Sequence, residues 1–317
     1  MTVSFTIPFR RSWDRMVRML FRPFRLDAWM TLGFAAFLSG LLDHVGPQGR
    51  GAWKEEGGIG AGHVIRGAAA FLLHPVWGPL ALVVAAVSLA LLVVLFCLAS
   101  RGKLVFLDDV VHERAAIAEP WRRFGPQADG LFAWWIAFAV VCALVVIAVS
   151  LPMIPAVLAA VANSDFKMLA IASLLGWIAL MIPLGLAAGY TLLFLFQFVV
   201  PIMVAQKLGV SAAWGRFLGL FRRHPGPFLL FGLAYFAISI AVAACIAALG
   251  LATCCVGFLV LGIPYVGSVI LLPVEVLLRG LGPDFLAQFG PEWSVFEPAG
   301  PPLPPTEAPP AAASPAA

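Results

Sequence analysis

The chain has 317 residues and a formal net charge of +4; 62% of its residues are apolar and only 11% are charged. Soluble domains carry charge on about a quarter of their residues, so this composition excludes a soluble globular protein. Nucleic-acid binding is also excluded, because the basic residues are scattered at the borders of apolar runs and form no basic face. We therefore predict an all-α, polytopic helical membrane protein with about six transmembrane helices.

A short pattern occurs three times and defines a predicted repeat. It consists of an apolar residue, three residues of any type, Trp, one residue of any type, Arg and then a bulky apolar residue. Its Trp and Arg residues are Trp13 and Arg15, Trp121 and Arg123, and Trp214 and Arg216. A long apolar run follows each copy. We predict three units, roughly residues 5–100, 101–206 and 207–290, each made of an interfacial amphipathic helix and a transmembrane hairpin. Together they form a single membrane-embedded helical domain over residues 1–296.

The first copy lies in residues 8–25, where apolar and basic side chains recur at helical spacing. Phe9, Trp13 and Leu20 share one face of this helix, and arginines share the other. Pro23 ends the helix, which we expect to lie in the membrane interface. A secretory signal is the alternative, but the arginine-rich lead is too long for one and no convincing small-residue cleavage site follows.

Apolar runs predict the first four spans. These are Leu26–Leu42, Val76–Ser100, Leu131–Leu151 and Leu184–Ala205. The uncharged run from Met168 to Gln206 contains 39 residues, which is too long for one crossing, and Pro183 lies inside it. We therefore predict that the part before Leu184 dips into the membrane or packs on its outer face.

Two further spans share the uncharged stretch from His224 to Val274. The turn between them lies either at Gly250–Thr253, which gives spans of equal length, or at Gly262–Pro264. We favour the second position, which starts the last span near Tyr265 and carries it past Arg279.

The polar segments predict the orientation. Four segments, including both termini, carry sixteen Lys and Arg residues, whereas the three intervening loops carry four. Basic loops stay in the cytoplasm, so we expect an inner-membrane protein with both termini cytoplasmic. The glycine-rich stretch from Asp43 to Pro75 then forms an exoplasmic loop. Residues 297–317, rich in Pro and Ala, are predicted to be a disordered tail.

Several short motifs carry a resemblance to a known family. They are Arg22-Pro23-Phe24 before Trp29 and Gly33-Phe34, Arg101-Gly102-Lys103, Phe106-Leu107-Asp108, Glu119 to Phe124, Thr253-Cys254-Cys255, and Phe285 to Glu292. The chain resembles a family of prokaryotic six-span membrane proteins of unknown function. That family is distantly similar to the membrane region of some glycerophosphoryl diester phosphodiesterases. The resemblance implies repeated units of interfacial helix plus hairpin, and it implies no activity, because the catalytic barrel of those enzymes has no counterpart here.

One cluster of titratable residues, Asp108, Asp109, His112 and Glu113, is a candidate for chemistry. On a helix these side chains divide between two faces, so at most two ligands converge, and a metal or acid–base site needs three. The polar face of a helix is the favoured interpretation. The five cysteines lie in apolar runs without metal-ligand spacing. We expect no enzyme activity, no cofactor and no metal.

The three Trp–Arg motifs are the candidate binding residues. Tryptophan lies at headgroup depth in a membrane, and a neighbouring arginine binds phosphate. We expect these helices to anchor the protein, and we hypothesise that they bind membrane lipids or other membrane proteins, which would make the chain a scaffold or lipid-binding protein.

Glu275 is the one acid inside an apolar run and is the candidate for a transport function. Transport of a hydrophobic or amphipathic solute is thus the alternative function. Arg279 follows four residues later, so a structural ion pair between the two is the competing interpretation.

Overall fold

The computed structural model describes residues 4–41, 77–155, 167–263 and 265–296. Within these ranges the chain forms helices and turns and no β-strand, as predicted. The predicted exoplasmic loop, Pro264 and the predicted tail lie outside the described residues.

The described helices follow one another in this order. They are α1 (Thr6–Phe21), α2 (Leu26–Gly40), α3 (Trp77–Val111), α4 (Ala118–Arg123), α5 (Gly125–Ser150), α6 (Lys167–Phe194), α7 (Val200–Gln206), α8 (Val210–Arg223), α9 (Pro225–Ala252), α10 (Val256–Leu261) and α11 (Val266–Leu286). A π-helical turn, Leu195–Val199, joins α6 to α7. Two 3-10 turns, Ala287–Phe289 and Pro291–Trp293, follow α11.

Among the described helices, four are long and apolar enough to cross a membrane. They are Trp77–Val111, Gly125–Ser150, Ile171–Gln206 and Pro225–Ala252. In the first three, the most apolar window of 18 residues contains no residue buried by the rest of the protein. These surfaces are therefore available to lipid, and the four helices indicate a multi-pass membrane protein.

The two other predicted spans also form helices, but they are not among these four. The first, α2, has 15 residues, or about 22 Å at 1.5 Å per residue, which is shorter than a hydrocarbon core of about 30 Å. The second, α11, carries Glu275, Arg279 and Asp284. Six spans are therefore not confirmed.

The prediction of a separate segment before Leu184 is wrong. Helix α6 runs without a break through Pro183, and the π turn and α7 continue it to Gln206. A proline removes one backbone hydrogen bond, and membrane helices tolerate this loss through local adjustments and neighbouring groups. The extra length packs inside the protein, where Leu195, Phe198 and Met203 are fully buried.

The turn between the last two predicted spans combines both positions considered for it. Helix α9 ends at Ala252, and Cys254 and Cys255 then adopt φ angles of 49° and 67°. The short helix α10 follows, and α11 begins at Val266, beside Tyr265. The favoured start of the last helix near Tyr265, with its extension past Arg279, is confirmed, and the break after Ala252 is a second one that the favoured position did not include.

The three copies of the Trp–Arg motif form helices of different lengths. Helices α1 and α8 have 16 and 14 residues, whereas α4, which carries the second copy, has 6. The three equivalent units remain a prediction.

Aromatic rings form the centre of the larger core cluster. The ring of Phe198 in the π turn lies 5.4 Å from Phe217 of α8, 5.0 Å from Phe228 of α9 and 6.0 Å from Phe285 of α11, between centroids. A second cluster joins α1, α2, α3 and α11 through Leu20, Leu32, Phe106 and Leu272. Both clusters use α11, so this helix connects the two parts of the core.

Helix α1 is fixed on α11 by a buried ion pair between Arg15 and Asp284. The guanidinium donates two hydrogen bonds to the carboxylate, of 2.9 and 3.1 Å, and the two residues are 7% and 2% exposed. Ser12 donates a further bond of 2.7 Å to the carbonyl oxygen of Leu277. Gly280 packs against Ser12, where a larger residue would collide with the serine side chain.

A second close approach joins α2 to α3. A Cβ atom on Gly102 would lie 2.7 Å from the backbone of Leu38 and 2.8 Å from the nitrogen of Ser39. These contacts are with backbone atoms, which cannot move aside as a flexible side chain can.

We predict that Gly102→Ala destabilises the protein by about 1–3 kcal/mol, because the added methyl group forces α2 and α3 apart. Thermal unfolding of the detergent-solubilised protein measures the change. Gly130→Ala is the control, since a methyl group added at Gly130 would meet no neighbouring side chain or helix within 4 Å. Equal melting temperatures for the two variants would show that the close approach does not matter.

We also predict that Arg15→Met destabilises the protein by about 3–5 kcal/mol, because it leaves the Asp284 carboxylate buried without its partner. The double variant Arg15→Met/Asp284→Leu should recover part of this loss, since no buried charge remains. Asp129→Asn is the control, because Asp129 pairs with Arg101 at the surface and its side chain is 70% exposed; we expect a change of about 0–1 kcal/mol. Additive effects of the two single changes at Arg15 and Asp284 would contradict the coupling.

Candidate functional site

The first Trp–Arg motif has its two residues in different environments. Trp13 is exposed and stacks on Phe9, with ring centroids 6.4 Å apart. Arg15 is held by Asp284, and its guanidinium also lies 3.4 Å from the ring centroid of Phe296. Arg15 thus has structural partners inside the protein, and Trp13 is the member of the pair that can reach lipid.

The second motif lies on α4. Trp121 is half-buried against the second core cluster, and the guanidinium of Arg101 lies 5.5 Å from its ring centroid. Arg123 is exposed and lies over the ring of Phe124 at 5.3 Å.

The third motif lies on α8. Trp214 stacks on Trp134 of α5 at 5.8 Å, so it serves to pack two helices together. Arg216 is exposed and donates a hydrogen bond of 2.9 Å to the side-chain oxygen of Gln206. Among the described residues, no hydrogen bond or ring contact joins one motif to another, so the structure does not gather them into one site.

A cavity of about 550 Å³ lies where the end of α1, the start of α2 and the end of α3 meet. Four arginines line it, and we call it the arginine cavity. They are Arg18, Arg22, Arg25 and Arg114. Among the described residues, Asp27 and Glu113 are the acids in its lining.

Three of these arginines are positioned by carboxylates. Arg18 donates a bond of 2.8 Å to Glu113, and Arg25 donates one of 2.7 Å to Asp27. The bond to Glu113 raises the pKa of Arg18 above its ordinary value, so its charge is secure. Arg22 is exposed and forms no ion pair with any carboxylate in the described ranges.

Arg114, which lies just after the end of α3, forms ion pairs with two acids. It donates bonds of 2.7 Å to Asp108 and 3.0 Å to Glu119, and the bond to Asp108 raises the pKa of Arg114. Asp109 accepts a bond of 3.1 Å from the backbone nitrogen of Ala116. The acid cluster singled out from the sequence therefore has a visible structural role, which is to shape the turn after α3.

The described residues contain no group of three or more His, Cys, Asp or Glu side chains that could hold a metal ion. Asp108 and Asp109 are fully buried, whereas His112 and Glu113 are exposed on the turn.

Large apolar side chains stand exposed beside the arginine cavity. Phe24, in the turn between α1 and α2, is 59% exposed. Leu26, the first residue of α2, is 64% exposed. Met30 and Phe21 extend this surface. Basic residues next to exposed apolar residues are typical of a membrane interface, where one part contacts headgroups and the other contacts acyl chains.

Glu275 and Arg279, the transport candidates, line a different cavity of about 240 Å³. We call it the interhelical cavity, because its lining comes from α2, α3, the π turn, α9 and α11. Arg279 donates a hydrogen bond of 2.9 Å to the carbonyl oxygen of Lys103. The structure thus brings Glu275 and Arg279 to one polar space, together with Lys103 and Gln197.

Sequence reasoning placed Arg18 and Arg22 on the polar face of α1 and singled out Glu113, but it did not bring the residues of the arginine cavity together. Arg22 and Arg25 flank the break between α1 and α2, and a break with basic residues on both sides was the one signal that pointed to them. Arg114 lies 92 residues away from Arg22, and no local pattern connects them. Asp284 was missed for the same reason.

No curated protein and no solved structure matches this chain. The sequence model of a family of unknown function, DUF7544, matches residues 9–289. The match includes both cavities and the pair of Arg15 and Asp284. The chain therefore belongs to DUF7544, a family of unknown function.

Proposed function

We propose that this membrane protein binds anionic phospholipids, with the lipid phosphate in the arginine cavity. The observation that supports the proposal most directly is that four arginines line a cavity of about 550 Å³ at the α1–α2 turn, and that Arg22 among them forms no ion pair with a described carboxylate. Arginine is suited to phosphate, because its planar guanidinium can donate two parallel hydrogen bonds to phosphate oxygens.

The apolar residues beside the cavity support a lipid rather than a soluble phosphate compound. With its phosphate near Arg22, a bound lipid would lay its acyl chains over Phe24 and Leu26. A soluble phosphate compound gains nothing from that surface, whereas burial of acyl chains contributes about 0.8 kcal/mol per methylene group.

The role we propose is binding, without catalysis. The acids nearest to the cavity are engaged in positioning arginines, as the bonds of Asp108 and Glu113 illustrate. We place the arginine cavity on the cytoplasmic face of the inner membrane, as the distribution of Lys and Arg predicts, with α2 and α11 as additional crossings to make six. Binding of other membrane proteins and the similarity to phosphodiesterase membrane regions remain predictions.

We predict that Arg22→Gln lowers the affinity for phosphatidylglycerol about fivefold, because one basic residue at a membrane surface contributes about 1 kcal/mol. Native mass spectrometry of the purified protein, titrated with phosphatidylglycerol, measures the retained lipid. Arg22 is chosen because it pairs with no described carboxylate, so its replacement leaves no acid without its partner.

Arg222→Gln is the matched control, since Arg222 is an exposed arginine on α8 outside the cavity. Phosphatidylcholine should bind more weakly than phosphatidylglycerol to the unchanged protein. Equal loss in the two variants would attribute binding to overall charge and contradict the proposal. Displacement of the lipid by millimolar glycerol 3-phosphate would show that the cavity binds a soluble phosphate compound instead.

Transport of an amphipathic solute is the second candidate function, because Glu275 and Arg279 line a polar cavity between helices. It predicts that Glu275→Gln slows the flux of an amphipathic fluorescent dye across proteoliposomes by at least about tenfold, as intramembrane acids act as coupling groups. Asp129→Asn is the control. Dye flux that equals that of protein-free vesicles would remove this candidate.

A further inference from the structure

A second polar space adjoins the arginine cavity along α1. It has a volume of about 720 Å³, and we call it the α1–α11 groove. Its lining comes from α1, from the end of α3 with the turn after it, and from the end of α11 with the residues that follow. Arg18 and Glu113 line both spaces, so the arginine cavity and the groove meet at this ion pair.

Four arginines form a stripe along α1 that passes through both spaces. They are Arg11, Arg15, Arg18 and Arg22, at positions i, i+4, i+7 and i+11. With about 3.6 residues per turn, this spacing keeps all four within about 60° of one another around the helix axis. One helix therefore brings guanidinium groups to the arginine cavity and to the groove.

Among the described residues, ion pairs occupy the middle of the stripe and not its ends. The two middle members, Arg15 and Arg18, are bound by carboxylates. Arg11 and Arg22 are exposed, and neither forms an ion pair with a described carboxylate. Eleven residues separate them, which corresponds to about 16.5 Å along the helix axis. The stripe thus offers two separate positions for an anion.

Exposed apolar side chains flank the stripe at both ends. Ile7, one helical turn before Arg11, is 45% exposed. Phe24 and Leu26, which are also exposed, follow Arg22. Each unpaired arginine therefore has apolar surface next to it. This combination can hold a phosphate together with its acyl chains at a membrane interface.

We propose that the stripe binds an anionic lipid with two phosphate groups, one at Arg22 in the arginine cavity and the other at Arg11 in the groove. A diphosphatidyl lipid, in which a glycerol bridge joins two phosphatidyl groups, has this chemistry. The bridge crosses the pair of Arg18 and Glu113, whose charges offset each other. Both end arginines are exposed, so their long side chains can lean toward Arg18 and shorten the distance between the two guanidinium groups. The two-phosphate site rests on the proposed lipid binding and names the class of lipid that binds.

One acid opposes the second phosphate and provides a test of opposite sign. Asp14 lines the groove, is exposed, and forms no ion pair with a described basic residue. It lies three residues from Arg11 on the same helix, and its negative charge repels a phosphate bound there. Removal of this charge should therefore strengthen the binding of a lipid with two phosphates.

Cardiolipin is the probe, and phosphatidylglycerol is its counterpart with one phosphate. Each lipid is titrated into the full-length protein in detergent, and native mass spectrometry measures the retained lipid. We expect cardiolipin to bind at least about fivefold more tightly, because its second phosphate makes a further contact within the same molecule. Equal or weaker binding of cardiolipin would overturn the two-phosphate site.

Three variants of exposed residues on α1 test the position of the second phosphate. Arg11→Gln should lower the affinity for cardiolipin about fivefold and leave that for phosphatidylglycerol unchanged. Asp14→Asn should raise the affinity for cardiolipin alone. Arg10→Gln is the matched control, because Arg10 is exposed beside Arg11 but lies about 100° around the helix and outside the described lining of the groove. Equal losses in Arg10→Gln and Arg11→Gln would attribute the effect to overall charge and contradict the site.

Arg22→Gln distinguishes failure of the two-phosphate site from failure of lipid binding itself. It should weaken the binding of both lipids. If Arg22→Gln weakens phosphatidylglycerol binding but Arg11→Gln leaves cardiolipin binding unchanged, the arginine cavity binds one phosphate and the groove binds none. That result overturns the two-phosphate site alone. If Arg22→Gln changes the binding of neither lipid, lipid binding in the arginine cavity and the two-phosphate site are both overturned.

Discussion

The buried ion pair between Arg15 and Asp284 is the constraint on which much of the arrangement depends. It joins residues 269 positions apart and places α1 along α11. With α1 fixed, the turn that follows it must bring Arg22 to the end of α3, and this is where the arginine cavity forms. A buried pair adds little net stability compared with apolar residues of the same size, but it penalises every arrangement that separates the two charges. Its main contribution is thus to select one register of α1 on α11.

The helix α1 could be predicted from sequence, but the face that it buries could not. The alternation of apolar residues and arginines fixes the helical period, and the helix lies close to its expected bounds. The pattern assigns Trp13 to the side that faces acyl chains and Arg15 to the side that faces headgroups. The structure instead buries Arg15 inside the protein, because its partner lies on a helix that no local pattern connects with α1. An arginine can occupy a buried position when such a carboxylate is present.

The hydropathy of the sequence predicts the long apolar helices well but predicts their ends poorly. Burial in lipid depends on average composition, so Trp77–Val111 and Pro225–Ala252 could be predicted as apolar helices. The positions where helices end or continue depend on backbone hydrogen bonding, which composition does not describe. Pro183 continues a helix, whereas Cys254 and Cys255 turn the chain with positive φ angles. Neither result follows from the hydropathy of the residues concerned.

The distribution of packing along the long helices indicates where their specific chemistry lies. The apolar halves of α3, α5 and α6 are hardly covered by protein, while the C-terminal part of α3 from Ala99 to Val110 is almost completely buried. Polar side chains can be oriented with precision only where neighbours fix their rotamers. Lys103, Gln197 and Asp284 all lie in the packed region. Both cavities border on this region, so a ligand in either one would act on the contacts that hold α1, α3 and α11 together, and would stabilise that packing by mass action.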